Sequence, residues 1–353
     1  MKLHKWIRCG IFAMILAIPL VTAGCGLYNA GDSKDANGQI DPPQNGAEAA
    51  ADVENLTPVS VDEAVEQMQV TLFFKDAMGF TAPLTLDIPK TVSLAKRSLE
   101  YMVDGGPAAG MLPEGFTALL PKGTQVKEIN VRKDKLAIVD FSKEFTDYNV
   151  EDERRILEAI TWTLTSFPTI DTVQLRVEGQ ILQEMPGDET PLDEPLSRRM
   201  GINIEQFDNV DLSQSTPVTL YFLNQAADQF QYYVPVTRMI PRTDDIATAA
   251  LQELIKGPLP ESKLVSVMLP DVEVLTVNKT DKIITVNLSD AIRDQDHKTP
   301  IEALDSIILS LTENTGISKV QLMVEGIAEV SGTDNRSYTN PVTRPTHINP
   351  YKL

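Results

Sequence analysis

Val70-Thr71-Leu72-Phe73-Phe74 is read a second time as Val218-Thr219-Leu220-Tyr221-Phe222, and that echo decides the fold. Outward from it, other segments repeat in the same order. Val139-Asp140-Phe141-Ser142 returns as Val286-Asn287-Leu288-Ser289, Val177-Glu178-Gly179 as Val324-Glu325-Gly326, and Pro195-Leu196-Ser197-Arg198 as Pro341-Val342-Thr343-Arg344. The period is about 150 residues, far beyond the roughly 20 to 50 of a solenoid repeat, so it implies a duplicated domain. The expected division is a first copy over 68–208 and a second over 209–353, touching end to end with Asp208 to Thr216 as the joint.

Within each copy the apolar spacing predicts a first helix. Leu94, Ala95, Ser98, Leu99, Met102 and Val103 match Ile246, Ala247, Ala250, Leu251, Leu254 and Ile255, one stripe at helical period. Gly105-Gly106-Pro107 and Gly257-Pro258 then read as helix stops, and not as a phosphate cradle, which needs a helix N-terminus. Two strands follow, at 126–131 and 135–141 and again at 272–277 and 282–288, with turns at Lys133-Asp134 and around Lys279 and Asp281. Ile284, Val286 and Leu288 alternate with polar residues, so one face of the sheet lies under helices. A second helix runs from about Glu151 to Ser166. Its counterpart opens with Thr299-Pro300-Ile301-Glu302, which reads as a capping box, and stops at Gly316. Closing strands are expected at 173–178 and 319–324, and further strand material at 84–88 and 232–236. The fold class is α+β: two tandem copies of a two-layer βαββαβ domain, with helices on one face of a small mixed sheet.

Ahead of the repeats, Lys2, Lys5 and Arg8 precede an apolar run of about fifteen residues, short of the roughly twenty that span a bilayer. Residues 1–24 therefore read as a lipoprotein signal peptide, ending in Thr22-Ala23-Gly24 before Cys25, the residue that would carry the lipid. Residues 25–67 are polar, with Asp41-Pro42-Pro43-Gln44-Asn45-Gly46 at their centre, and are expected to form a disordered tether with a span of roughly 35 Å. Loss of Cys9 with the leader and lipidation of Cys25 would leave no thiol for a disulfide, a nucleophile or a metal. Removing Lys2, Lys5 and Arg8 takes the net charge from −19 to −22. Nucleic acid, which demands clustered Lys and Arg, is not an expected partner.

No motif specifies a reaction. His297 and His347 lack a recognisable nucleophile, orienting carboxylate or co-ligand nearby. Asp290, Asp294 and Asp296 lack the Gly and terminal Glu of a calcium loop and read as solvated charge. Glu151-Asp152-Glu153 suits the positive end of a helix. Asp188, Glu189, Asp193 and Glu194 read as a loop rim, since the second copy has no matching cluster and aromatics are too few for a sugar cleft. Trp162 is expected to pack in the core or at its rim, with one edge open to exposure, and Phe73, Phe74, Tyr221 and Phe222 in buried opening strands. No catalytic residue, metal or cofactor is assigned, and no small-molecule substrate is identified.

Taken together, the cysteine at the end of the leader, the polar tether, the doubled Gly-Pro stops at Gly106-Pro107 and Gly257-Pro258, and the doubled Val-(Asp/Asn)-(Phe/Leu)-Ser and Val-Glu-Gly segments resemble the GerM family of sporulation and spore-germination lipoproteins, built from two GerMN domains. The resemblance implies domains similar to ring-building motifs and a noncatalytic scaffold. Such a scaffold would be lipid-anchored on the extracytoplasmic face of the mother-cell membrane, facing the forespore. Its partners would be other proteins of the channel complex joining mother cell and forespore, with effects on germination. Two other readings stay open: a ligand-sensing or solute-binding lipoprotein, and a cell-wall hydrolase or its regulator.

Overall fold

The opening strand of each copy is followed by a five-residue turn, 76–80 or 226–230, that brings the chain back as its antiparallel partner. In the computed structural model, which describes residues 66–205 and 214–352, β1 (Gln67–Lys75) pairs antiparallel with β2 (Thr81–Pro89), with Leu72 opposite Leu84. The second copy repeats this with β7 (Ser215–Gln225) and β8 (Gln231–Pro241). The 84–88 and 232–236 segments are thus parts of longer strands. They escape period-two reading because nearly every residue from Thr81 to Ile88 and from Val234 to Arg238 is buried, one side by the copy's own helix and the other by the opposite copy.

Next come α1 (Leu94–Tyr101), β3 (Val126–Val131), β4 (Leu136–Phe141), α2 (Glu153–Leu164), β5 (Thr172–Val177) and the short β6 (Gln180–Ile181). The second copy continues with α3 (Ile246–Lys256), β9 (Val274–Lys279), β10 (Ile284–Leu288), α4 (Ile301–Thr315), β11 (Lys319–Val324) and β12 (Val342–Thr343). Each copy holds a mixed four-stranded sheet, ordered β3-β4-β5-β6 and β9-β10-β11-β12, in which the central pair is parallel and the outer pairs antiparallel. Ala137, Val139, Phe141, Val173 and Leu175 are buried under the helices, as are Ile284, Val286 and Leu288. α2 supplies Ile156, Leu157, Ile160, Trp162 and Leu164, each such side chain worth roughly 1.5–3 kcal/mol when withdrawn from water.

Several local expectations are corrected. Helix α1 ends at Tyr101, ahead of its glycines, because Val103 leaves the helix to bridge Leu120. Gly106 is needed there for close approach: a Cβ would lie 2.8 Å from the Val103 carbonyl oxygen. Helix α3, by contrast, stops directly at Gly257, φ +82°. The Thr299 capping box does not form. Thr299 pairs through its backbone with Ser331 and Thr333, and it is the Thr333 hydroxyl that accepts from Ile301 N, 3.0 Å. Trp162 lies in the interior, 0% exposed, because the tail of the first copy covers it: its indole N–H donates to Gly201 O, and the Arg198 guanidinium lies 4.4 Å from the ring centroid.

The end-to-end contact is also corrected. The two copies lie in one compact unit, 62–353, and a single apolar cluster runs through both, from Val70 to Tyr338. They meet side by side through β2 and β8. The leader 1–24, Cys25, residues 26–65 of the tether, residues 206–207 at the end of the first copy and residues 208–213 of the joint lie outside the described residues.

Candidate functional site

Two regions stand out: the junction between the copies, and the sheet edges left open by it. The junction is built from the tail that follows each closing strand. In the first copy Thr237 N donates to Ile202 O (2.9 Å), Glu205 N to Thr237 O (2.9 Å), and Ile202 N to the Thr237 hydroxyl (2.9 Å). In the second, Thr85 N donates to Asn349 O (3.1 Å), Tyr351 N to Thr85 O (3.1 Å), and the Thr85 hydroxyl to Ile348 O (2.8 Å). Each tail therefore adds as a strand to the other copy's hairpin.

An asparagine sits in each crossing. Asn203 (φ +46°) and Asn349 (φ +52°) occupy the left-handed region that this residue type tolerates. The Asn203 amide donates to Thr81 O (2.9 Å) and Pro235 O (2.7 Å) and accepts from Thr81 N (2.8 Å). The Asn349 amide donates to Pro83 O (2.7 Å) and Tyr233 O (2.9 Å) and accepts from Tyr233 N (2.8 Å). One short side chain thus satisfies three backbone groups drawn from both copies, twice over, in an isologous arrangement like that of a symmetric dimer.

Charged groups lock the junction asymmetrically. Arg198 from the first tail binds both carboxylate oxygens of Glu313 on α4 (2.9 and 2.8 Å); Arg344 adds a bond of 2.7 Å and the Tyr221 hydroxyl one of 3.0 Å. Burial pushes the Glu313 carboxyl up, but the two arginines outweigh it and hold it below the usual range. Arg238 on β8 pairs with Glu205 (2.6 Å) and Glu253 (3.0 Å), all three being nearly excluded from water. The buried Asp76 accepts from the Asn224 amide (3.0 Å) and the Tyr232 hydroxyl (2.8 Å). These are the functional candidates that sequence reasoning missed; the doubled Ile202-Asn203 and Ile348-Asn349 was the available signal.

The residues singled out from sequence do not converge. His297 is an exposed turn residue with φ +57°, and His347 is half-buried in the crossing tail. Asp294 accepts from Asp296 N and Lys298 N, and Asp290 pairs with Arg293. Glu153 is buried and does more than face a helix end: its carboxylate receives Gly187 N, Asp188 N, Thr190 N and the Thr190 and Tyr148 hydroxyls, pinning the loop 185–190. Asp188, Glu189, Asp193 and Glu194 are exposed on that rim. Among the described residues no group of three or more His, Cys, Asp or Glu is placed to hold a metal ion.

This geometry defines a class: a tandem α+β module in which crossing tails and buried ion pairs join two copies of one fold. The Germane family, described as sporulation and spore germination, matches residues 71–183 and 219–330, and the chain belongs to it. Spore germination protein GerM of Bacillus subtilis (strain 168) is 38% identical over 359 residues, covering 96% of this chain and 97% of that protein. The solved tandem GerMN domains of the sporulation protein GerM from Bacillus subtilis superpose with a TM-score of 0.77 at 39% identity, over 81% of this chain and 100% of that one.

Proposed function

We propose that the chain is a membrane-anchored, noncatalytic scaffold that helps assemble the channel complex between mother cell and forespore during sporulation, with effects on germination. The observation that carries this reading is the reciprocal junction. Tails that cross, asparagines that clasp both hairpins and buried ion pairs make two copies into one stiff body, as a spacer or template in an assembly requires. Cys25 is the proposed lipid carrier, placing the body on the extracytoplasmic face of the mother-cell membrane. Its partners are other proteins of the complex.

The anchor has a direct test. Cys25→Ala is expected to move the protein from the membrane pellet to the soluble fraction, with the hydrogen-exchange protection of residues 66–352 unchanged. Retention of that variant in washed membranes would sink the lipid anchor. Assembly is tested by deleting the gene and following partner proteins at the septum; complete channel formation without this chain would remove the scaffold reading.

A further inference from the structure

The same corner of the sheet is finished differently in the two copies. β3 and β9 are edge strands, each paired on one side only. Both carry an extra residue that breaks the register near the start of the strand: Lys127 between Val126 and Glu128, and Leu275 between Val274 and Thr276. Beside each bulge stands the glutamate of the Val-Glu-Gly turn, Glu178 (φ +53°) or Glu325 (φ +50°). The frame is equivalent to the level of single bonds. Gly179 N donates to Asp140 and Gly326 N to Asn287, both at 2.8 Å; Lys143 N donates to Glu178 Oε1 (3.0 Å) and Asp290 N to Glu325 Oε1 (3.2 Å).

In the first copy this corner is closed. The Lys127 ammonium is ion-paired with Glu178 Oε2, and Lys96 on α1 donates to the Lys127 carbonyl (3.3 Å), occupying an outward-facing acceptor. Charged residues of this kind are how proteins keep an edge strand from pairing. In the second copy both of these guards are missing, although the exposed Lys279 ends the strand. Leu275 replaces Lys127 and is 39% exposed, Thr248 stands where Lys96 stands, and among the described residues no cation pairs with Glu325. Thr280 N bonds to Ile283 O at the hairpin end, so Thr276 and Asn278 pair inward and Val277 and Lys279 turn their backbone groups outward.

We propose that the outer edge of β9 receives an extended segment of a partner protein, which adds as a strand and sets a Lys or Arg on Glu325. The first copy supplies the template: the incoming cation takes the place that the Lys127 side chain holds against Glu178, and an apolar neighbour covers Leu275. Backbone pairing along 276–279 gives affinity, and the Glu325 contact gives direction and register. This assignment rests on the scaffold reading and names the surface that does the scaffolding.

The test uses the full chain in detergent and a capped nonapeptide of alternating Val and Thr with a central Lys, followed by hydrogen–deuterium exchange. The peptide is expected to slow exchange over 273–279 and leave 125–131 unchanged. Replacing its Lys by Glu, or installing the first copy's guard as Leu275→Lys, is expected to weaken binding about tenfold. Unchanged exchange over the rest of the Leu275→Lys variant shows that the fold is retained. Absence of protection, protection at 125–131 or on the helices instead, or equal binding by Leu275→Lys would each overturn the proposal. The two readings separate in sporulating cells. If gene deletion blocks channel assembly while Leu275→Lys does not, the β9 site falls and the scaffold stands; if deletion has no effect, the scaffold itself falls.

Discussion

The first and second copies share a skeleton but not its charges. Where Arg238 and Glu253 form a buried ion pair in the second copy, the equivalent positions of the first hold Leu86 and Tyr101, both buried. Glu313 has Ser166 as its counterpart, and Glu205 has Tyr351. By contrast, Thr71 and Thr85 are hydrogen-bonded across β1 and β2 (2.8 Å) just as Thr219 and Thr237 are across β7 and β8 (3.1 Å), and Thr163 and Ser310 each accept a strand N–H at 3.1 Å. The difference teaches which contacts a two-fold junction demands. Groups that satisfy backbone recur in both halves, whereas ion pairs are alternatives to apolar packing and occur on one side only.

That comparison is broken most forcefully at Arg238. Arg238→Leu copies the residue of the first half, but in a region nearly closed to water it strands Glu205 and leaves Glu253 with only the exposed Lys256 as ionic partner. Removing one partner of a buried ionic cluster costs about 3–5 kcal/mol, so the urea midpoint should fall steeply. Adding Glu205→Tyr and Glu253→Tyr, the residues at the equivalent places, should recover most of the loss. A triple variant no more stable than Arg238→Leu alone would show that the two halves are not interchangeable solutions.

The asparagines sharpen the same comparison at smaller cost. Asn203→Ala and Asn349→Ala each remove three backbone bonds and leave alanine at positive φ. Unsatisfied buried backbone groups cost about 1–3 kcal/mol apiece at most sites, part of it recovered by water at a junction. The two variants should therefore lose about 3 kcal/mol each, the low end for three such groups, and agree within about 0.5 kcal/mol. Calorimetry that finds one asparagine costly and the other neutral would contradict a two-fold junction.

Much of this architecture was legible in the residues. The repeat revealed two copies of one domain, the apolar stripes revealed all four helices, and the alternation over Ile284, Val286 and Leu288 named the buried face correctly. β2 and β8 were read only as fragments because burial on both faces erases alternation and because Pro83 and Pro235 interrupt them. Their second covering surface is the opposite copy, which no local window contains. Whether Trp162 lies in the core or at its rim is hidden for the same reason: Gly201 and Arg198, which close over it, arrive from the far end of the first copy. The junction residues Asn203 and Asn349 look like ordinary loop asparagines, and their partners are β2 and β8 backbone atoms whose positions depend on the assembled pair. The guard at Lys127 and its absence at Leu275 could be seen in the aligned repeats, but not that both are bulge residues beside a Val-Glu-Gly turn.

The smallest effect concerns two equivalent acids on the second helices, Glu158 on α2 and Asp305 on α4. Burial pushes both carboxyls up; for Asp305 the neighbouring Asp334 adds to it, Arg336 opposes it, and the group reaches about 6. A carboxyl whose folded value lies above its ordinary 3.8 takes up a proton more readily in the folded state. Its contribution to stability is therefore complete below that ordinary value and is lost as pH rises through about 6. Asp305→Asn mimics the protonated form at every pH. Because Asp305 keeps partial solvent contact, the gain at neutral pH is discounted to about 1 kcal/mol. It should shrink to nothing in acid, below the ordinary carboxyl range. Glu158→Gln should shift stability in the same direction, as expected of its place in the repeat, although Arg154, 3.0 Å away, loses a partner in that variant and offsets part of the gain. Thermal melts of the two variants across that pH range would separate them: a pH-independent difference from the parent chain at position 305 would mean that the raised carboxyl is not what the second copy tolerates there.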